Sequence, residues 1–212
     1  MHTEADALAR AIEHLRGAGV ERIVCTGDLA DGPGDTDDVA RCCELLADND
    51  VLTVCGNHDR WVHAHEMRDL DDATDPDDLE AEVLERLGVL PATAELPTPI
   101  GTLLLCHGMG PDDMAGVQPF DHGPALSSNA ALQKVLRTRR HAIVVAGHTH
   151  RAMVRTIDGT IFVNAGTLHR EFRPCFGFID FDDSSVEFVE LGPDWATGPT
   201  KRLPFTEVRQ GS

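Results

Sequence analysis

The chain has 212 residues, a formal net charge of −18 and 42% hydrophobic residues, so it is long enough and apolar enough to bury a sizeable core. This length predicts a single domain over residues 1–212. No run of about 18 apolar residues is present, which excludes a membrane-spanning helix. The N-terminus lacks the apolar segment of a secretion signal, so we expect a cytoplasmic protein. The negative charge argues against an extended surface that binds nucleic acids, but it is compatible with a small anionic substrate.

Hydrophobic periodicity predicts alternating helices and strands over the first two-thirds of the chain. Thr3 and Asp6 resemble a capping box, which predicts a first helix that ends near Gly17. The predicted strands that follow cover 22–26, 51–55, 102–106 and 142–146. Further helices are predicted from Asp35 or Thr36, over 79–87 and over 131–139. This alternation is typical of βαβ units with right-handed crossovers.

The last third of the chain changes to hairpins. Asp158-Gly159 separates "MVRTI" from "TIFVN", which predicts a two-residue type I′ turn. "CFGFIDF" and "VEFVEL" predict a second hairpin around residues 182–185. From Gly192 onward no element is predicted, because Gly and Pro interrupt the pattern.

Residues 61–95 interrupt the early rhythm of helices and strands. Within them, "DLDDATDPDDLEAE" (69–82) contains eight acidic residues and no basic one. A run of like charges is typical of a solvated loop, here leading into a helix. A cap or lid over a site is the alternative interpretation.

Each of the four predicted strands is followed by residues of types that bind metals. These residues are Asp28 after "VCTG", Asn57 and His58 in "VCGNHD", His107 in "LLCHG", and His148 and His150 in "VVAGHTH". The carboxyl ends of parallel strands share one edge of a sheet, so these side chains are expected to converge there. The sequence therefore predicts a divalent metal site.

Each of these residues has another explanation when it is taken alone. Asp28 could cap a turn, and His107 could be a hydrogen-bonded histidine of the core. His148 and His150 could be loop histidines exposed to water. The alternate spacing of this pair would place both imidazoles on the same side of an extended backbone. It is the joint placement after successive strands that favours a shared site.

The order G-D, G-N-H-D, H-G and G-H-T-H resembles the signature of the calcineurin-like metallophosphoesterase superfamily. The resemblance spans His2 to His150 and continues into "VNAGTL" (163–168). It implies an α/β (α+β) fold, a four-layer αββα sandwich of two mixed β-sheets flanked by helices. It also implies that phosphate monoesters or diesters are hydrolysed by two divalent metals and a hydroxide that bridges them.

The resemblance also implies a role for each residue. The metal ligands would be a bridging Asp28, with Asn57, His107 and His148 for one metal and His2 and His150 for the other. His58 would protonate the leaving group or stabilise charge on the phosphoryl oxygens, and Asp59 would orient its ring. Apart from the resemblance, Arg60 directly follows "GNHD" and is expected to contact the substrate, with ordinary surface as the alternative. Manganese is the expected metal, and Fe, Zn, Co or Ni would also suit these ligands.

The N-terminal motif departs from the family pattern. The family opens with an apolar strand followed by D-x-H, whereas His2 here follows Met1 directly, so the strand and its aspartate would both lie before residue 1. Without that strand, its neighbours would expose unpaired N–H and C=O groups. We expect a misassigned start, with upstream codons for Asp preceded by four to six aliphatic residues. A stop codon or a polar stretch there would favour a degenerate family member.

Two classes of function remain open. The first is a two-metal phosphodiesterase or phosphatase that acts on a small phosphate ester. The second is a non-catalytic metal-binding scaffold with a degenerate site, and the fold alone does not choose between them. His58 favours the enzyme, because a structural metal site needs no further histidine beside Asn57. A nuclease acting on long DNA or RNA is disfavoured by the net charge and by the lack of a basic stripe.

Overall fold

The computed structural model describes residues 1–66 and 68–205. The helices are α1 (Ala5–Gly17), α2 (Thr36–Asp48), α3 (Asn57–His63), α4 (Ala81–Gly88), α5 (Pro124–Ser127) and α6 (Ala130–Thr138). The strands are β1 (Val24–Cys25), β2 (Leu52–Thr53), β3 (Thr93–Thr98), β4 (Gly101–Cys106), β5 (Ile143–Ala146), β6 (Met153–Ile157), β7 (Thr160–Asn164), β8 (Cys175–Asp180), β9 (Ser185–Leu191) and β10 (Thr197–Pro204). Short 3₁₀ turns lie at Pro76–Asp78 and Pro193–Trp195. No helix in the described ranges is both long and apolar enough to cross a bilayer.

The strands form three sheets. β1 and β2 are a parallel pair, and β8, β9 and β10 form an antiparallel sheet. The third sheet has the order β3-β4-β5-β7-β6, with three parallel central strands and antiparallel strands at both edges. The expected mixed α/β fold is confirmed. Two continuous sheets were expected, but the described residues form three. The pair β1-β2 and the sheet β8-β9-β10 are separate, because no described strand lies between β1 and β8.

Apolar clusters separate the layers of the fold. The first packs α1, α2 and α4 against β1, β8 and β9. The second lies between the sheets and includes Leu105 of β4 and Val186 of β9. The third packs α6 on the outer face of the five-stranded sheet, where Leu132 and Val144 are fully buried. The order helix, sheet, sheet, helix is the four-layer arrangement that the resemblance implied.

The helix starts follow from local side-chain chemistry. Asp35 caps α2, because its Oδ1 accepts a hydrogen bond from the Asp38 N–H, as predicted. The capping box predicted for α1 is wrong. The Thr3 hydroxyl donates to the carbonyl of His2 and accepts from the Gly34 N–H, and the residue before α1 is Glu4. Thr3 therefore ties α1 to the loop before α2.

In the C-terminal third, the predicted turn at Asp158-Gly159 is confirmed, and the prediction that no element follows Gly192 is wrong. Asp158 and Gly159 both have positive φ, 49° and 83°, which is the conformation of a type I′ turn between β6 and β7. The segment after Gly192 was expected to lack structure, but it forms β10 and pairs with β9. Its apolar content is too low for a strand signal, and it lies on the edge of the sheet, where polar residues and Pro are tolerated.

A cavity of about 990 Å³ lies between α1, β1 and β8. Most of its lining is apolar and includes Leu8, Leu15, Ile23, Phe176 and Phe188. Within the described residues β1 pairs only with β2, and β8 pairs only with β9. The facing sides of β1 and β8 are therefore free of sheet hydrogen bonds, and the cavity separates them.

We predict that the same truncation costs less beside this cavity than in the filled core. Leu105→Ala should lower the free energy of unfolding by ~2–5 kcal/mol, since Leu105 is fully buried in the core between the sheets. Leu8→Ala should cost less, below about 2 kcal/mol, because the side of Leu8 that faces the cavity lacks contacts to lose. Urea denaturation measures both. Equal losses would mean that the cavity is filled in solution.

Candidate metal centre

Four strand ends meet at one place, although they belong to two sheets rather than the single parallel sheet that was expected. β1 and β2 lie in one sheet and β4 and β5 in the other. The His107 Nδ1–H links the two sheets, because it lies 2.6 Å from the carbonyl oxygen of Thr26 after β1. The structure brings together all six predicted ligands, which are His2, Asp28, Asn57, His107, His148 and His150.

The predicted ligands form two groups that share Asp28. In the first group the Asn57 Oδ1 lies 2.9 Å from the His107 Nε2 and 3.0 Å from the His148 Nδ1. The His107 Nε2 is also 3.1 Å from the Asp28 Oδ2. Atoms that bind one cation at about 2.0–2.2 Å are about 3 Å apart, so this group has the spacing of a metal site.

The second group lies on the other side of Asp28. The His2 Nε2 is 2.9 Å from the His150 Nε2 and 3.5 Å from the Asp28 Oδ2. One donor atom each of His2, Asp28 and His58 also lies within 4.8 Å of the other two. The Asp28 Oδ2 is thus close to both groups.

Hydrogen bonds to backbone carbonyls set the tautomers of two of these histidines. The Nδ1 of His2 lies 2.7 Å from the carbonyl oxygen of Asp31, and the Nδ1 of His107 makes the matching contact to Thr26. A carbonyl only accepts, so Nδ1 carries the hydrogen in both rings. In the neutral form of each ring the lone pair of Nε2 is then free, which is the state that a metal ligand requires.

The ligand loops hold their residues in the left-handed region of φ. The φ angles are 60° for His2, 56° for Asp28, 61° for His148 and 57° for His150. Each such residue costs about 1–3 kcal/mol, and such strain clusters at functional sites. His148 and His150 therefore do not lie on an extended backbone, and the expected same-side geometry is wrong. They follow the end of β5, and each contacts a different ligand group.

The electrostatics favour cation binding at neutral pH. Burial lowers the pKa of His2 to about 2 and that of His150 to about 4, and the N-terminal ammonium acts in the same direction. Burial acts to raise the pKa of Asp28, but attraction to His107 and His2 outweighs it and holds that pKa below its usual value. The site thus presents a carboxylate beside the neutral imidazoles of His2 and His150, which suits metal binding. Burial acts to lower the pKa of His107, but attraction to Asp28 outweighs it and raises that pKa, so a metal there would compete with a proton.

His58 is held by Asp31 and not by Asp59, which corrects the expected pairing. The His58 Nδ1 is 2.8 Å from the Asp31 Oδ2. Asp59 is fully buried and accepts hydrogen bonds from the backbone N–H groups of Asp28, Leu29 and Gly56. It lies in the first turn of α3 and faces back toward these loops. Asp59 thus shapes the backbone around the site.

Asp31 is itself held in place by the segment 61–95. The Nε and an Nη of Arg68 lie 2.7 and 2.8 Å from its two carboxylate oxygens, and the Thr74 N–H donates to it at 2.8 Å. Burial acts to raise the pKa of Asp31, but the hydrogen bonds from Arg68 and His58 outweigh it and lower that pKa. This segment therefore anchors the His58 partner, and a lid motion stays a prediction.

Arg60 is engaged in ion pairs. Its Nε lies 2.6 Å from the Asp113 Oδ2, and an Nη lies 3.0 Å from the Glu66 Oε1. Its guanidinium also lies over the ring of Trp61, whose centroid is 4.8 Å from that of His58. Arg60 is thus near the site, and its contact with a substrate stays a prediction.

Sequence reasoning missed three residues at this site. Asp31 carried a signal, since it lies three residues after Asp28 in the same loop. His169 also carried one, because it directly follows the "VNAGTL" segment, and its ring centroid is 5.2 Å from that of His2. Arg68 directly precedes the acidic stretch 69–82, and no pattern in the neighbouring sequence indicated that it would bind Asp31.

The depressed histidine pKa values predict how the stability of the metal-free protein depends on pH. The unfolded chain protonates His150 below about pH 6.5, whereas the folded chain does so only near pH 4. The free energy of unfolding should therefore fall as the pH drops from 6.5 to 4. His150→Asn, which tolerates the positive φ, should reduce this fall. His65→Asn, at an exposed residue that also has positive φ, is the control.

Thermal melts of the three proteins at pH 7 and pH 5 measure the effect. If His150→Asn and the wild type lost the same stability over this interval, His150 would not be a buried neutral imidazole.

Known proteins resemble this chain in sequence and in fold. A stretch of 69 residues is 30% identical to an uncharacterized protein of Methanocaldococcus jannaschii and covers 32% of this chain and 27% of that protein. The chain thus matches about a quarter of the length of this curated relative.

Three solved structures share the fold. A hypothetical protein from Pyrococcus horikoshii has a TM-score of 0.71 at 16% identity, over 89% of this chain and 84% of that one. The phosphoesterase Yfce from E. coli has a TM-score of 0.51 at 18% identity, over 95% and 94%. Vacuolar Protein Sorting 29 from Cryptosporidium parvum has a TM-score of 0.51 at 19% identity, over 91% and 88%.

The profile of the calcineurin-like phosphoesterase superfamily domain matches residues 1–184. This range includes every strand end that contributes to the metal centre. The chain therefore belongs to the calcineurin-like phosphoesterase superfamily.

Proposed function

We propose that this protein hydrolyses phosphate esters with two divalent metals, as a phosphodiesterase or a phosphatase. Membership of the superfamily supports a phosphoester hydrolase. The observation that carries the two-metal proposal is the position of the Asp28 Oδ2, 3.1 Å from the His107 Nε2 and 3.5 Å from the His2 Nε2. One carboxylate oxygen is thus close to both groups of donor atoms.

The donor atoms fit two transition-metal cations. We assign Asn57, His107 and His148 to one cation, His2 and His150 to the other, and Asp28 to both. Bound there, the cations would neutralise charge on the phosphate oxygens and lower the pKa of a water molecule to near neutrality. Imidazole, amide and carboxylate donors suit Mn, which we expect first, and also Fe, Zn, Co or Ni.

His58 is the proposed general acid. Its Nδ1 is committed to Asp31, so Nε2 is the atom that can give a proton to the leaving group. A hydroxide, formed when a water molecule loses a proton to solvent, would attack phosphorus, the bond from phosphorus to the leaving oxygen would break, and that oxygen would take the proton from the His58 Nε2. The Asp31 carboxylate accepts the hydrogen bond of Nδ1 and so orients the ring. The His58 side chain is 18% exposed, so a substrate can reach it.

The substrate class that we propose is a small or flexible phosphate ester. The net charge of −18 opposes a nucleic-acid backbone but not one phosphate held by cations. Arg60 would contact the part of the substrate away from the phosphate, beside Trp61. All six cysteines are free thiols, as is usual in a reducing compartment, which supports a cytoplasmic location.

A non-catalytic metal-binding scaffold is the second candidate. It is favoured by the smaller set of donors around His2, which comprises His2, His150 and the shared Asp28. The similarity in fold to a protein named for vacuolar sorting is consistent with it. The pairing of His58 with a buried carboxylate favours the enzyme, because a scaffold has no use for an oriented proton donor.

We predict that two substitutions separate catalysis from metal binding. His58→Ala should keep its metal and, with Mn²⁺, slow the hydrolysis of a phosphate ester with an alkyl leaving group by ~10²–10⁴-fold, because a general acid is lost. It should slow the hydrolysis of bis-p-nitrophenyl phosphate less, because that leaving group needs no proton. His148→Ala should lose metal and activity together. Metal content and initial rates are measured on the same samples, and a chelator should abolish the wild-type rate.

The opposite pattern would reverse the assigned roles. If His58→Ala lost metal while His148→Ala kept it, His58 would be a ligand. Turnover of the wild type at an unchanged rate after chelation would exclude the two-metal mechanism, and a metal-loaded but inactive wild type would favour the scaffold.

A further prediction concerns Asp31. Asp31→Asn should keep the metal content and reduce kcat about 10–100-fold, as is typical when the partner of a functional histidine is lost. The loss should be smaller for esters whose leaving group needs no proton. Asp183→Asn, which removes an exposed ion pair to Arg202, is the control and should leave kcat unchanged. An equal loss for good and poor leaving groups would show that Asp31 does not act through proton transfer.

A further inference from the structure

His169 lies beside the metal centre without belonging to either group of predicted ligands. It follows β7 in the loop that leads to β8, and it is 6% exposed. Its ring centroid lies 5.2 Å from that of His2 and 6.3 Å from that of His150. The ring of His58 is also close to His2, at 4.9 Å. His2 is thus adjacent to both His58 and His169.

The backbone of its own loop sets the tautomer of His169. The N–H of Glu171 donates a hydrogen bond to the His169 Nδ1 at 3.2 Å. An imidazole nitrogen that accepts carries no hydrogen, so the proton of the ring is on Nε2. The nearest acidic oxygen, Oδ2 of Asp72, is 3.8 Å from Nε2, which is beyond hydrogen-bond distance. Among the described residues, this N–H has no hydrogen-bond acceptor.

The loop around His169 is anchored on both sides. The buried carboxylate of Glu4 accepts hydrogen bonds from the backbone N–H, the Nε and an Nη of Arg170, at 2.7–2.8 Å. The ring of Phe172 packs edge-on against His169 and His150, with centroid distances of 5.1 and 4.8 Å. The ring of His169 is therefore fixed before any ligand arrives, so little entropy is lost when it makes a hydrogen bond.

We propose that His169 is a substrate-binding residue that donates its Nε2–H to a phosphoryl oxygen of the ester held at the metal centre. This proposal rests on the proposed phosphoesterase function. His169 is not a metal ligand, because Nδ1 is occupied by the Glu171 N–H and Nε2 carries a hydrogen. The His169 Nε2–H is a fixed donor beside His2 and His150. An anionic phosphoryl oxygen can accept a hydrogen bond from it in addition to binding a metal.

Two matched substitutions isolate this hydrogen bond. His169→Asn places an amide oxygen where Nδ1 stands, so it can still accept from Glu171, but it removes the Nε2–H. His169→Gln places an amide donor near the position of Nε2. The probe is inorganic phosphate, titrated by calorimetry into the Mn²⁺-loaded protein, with metal content and melting temperature measured on each variant. Hydrogen bonds to charged groups are worth about 1.5–3 kcal/mol, which corresponds to roughly one to two orders of magnitude in affinity.

We expect His169→Asn to keep its metal and its melting temperature and to bind phosphate about 10–100-fold more weakly, with partial recovery in His169→Gln. Unchanged phosphate affinity in His169→Asn would overturn the proposal while leaving the phosphoesterase function intact. Loss of metal in His169→Asn would also overturn it and would make His169 a ligand. A wild-type protein that takes up metal but binds no phosphate would instead refute the proposed function, and with it this proposal.

Discussion

The carboxylate of Asp28 is the charge around which this site is organised. It is 2% exposed, and a buried charge is stable only where it is paired and hydrogen-bonded. The backbone N–H of His58 donates to its Oδ1, attraction to Asp28 raises the pKa of His107, whose Nε2 lies 3.1 Å from Oδ2, and the Nε2 of the neutral His2 lies 3.5 Å from the same oxygen, where a cation would bridge the two. These partners come from the N-terminus, from the start of α3 and from the end of β4, so pairing one carboxylate requires both sheets to meet. The position of the candidate metal centre between the sheets follows from this requirement.

Three further buried carboxylates around the site are also held by hydrogen bonds or ion pairs. Asp59 accepts backbone N–H groups and fixes the two loops after β1 and β2. Asp31 binds Arg68 and so couples the acidic segment to His58. Glu4 binds Arg170 and so fixes the loop of His169. Each of these carboxylates has its own partners and fixes a different loop around the site. These separate partners explain how four carboxylates can be buried close together in a chain with a large negative charge. Removing a partner would leave a buried charge alone, and that costs more than the lost contact itself.

The sequence predicted the fold class and the convergence of the ligands, because both depend on local signals. Strand-terminal Asp, Asn and His residues are visible in the spacing, and the turn at Asp158-Gly159 is encoded by two residues that tolerate positive φ. The division of the strands between sheets could not be predicted, since sheet pairing depends on contacts far apart in the chain. The partner of His58 was missed for a related reason. Asp59 is its neighbour in sequence, but in the first turn of a helix adjacent side chains point in different directions, and Asp31 reaches the ring from another loop.

The left-handed backbone of the ligand loops restricts how this centre could be redesigned. His2, Asp28, His148 and His150 all have φ between 56° and 61°. Among residues with a side chain, Asn, Asp and His are the types that occupy this region most readily. They are also donors to divalent metals, so the backbone and the metal select from the same short set of residues. An engineer who wished to change metal preference could exchange these three types with little backbone cost. Valine-like or other branched replacements would be penalised by conformation before any coordination chemistry came into play.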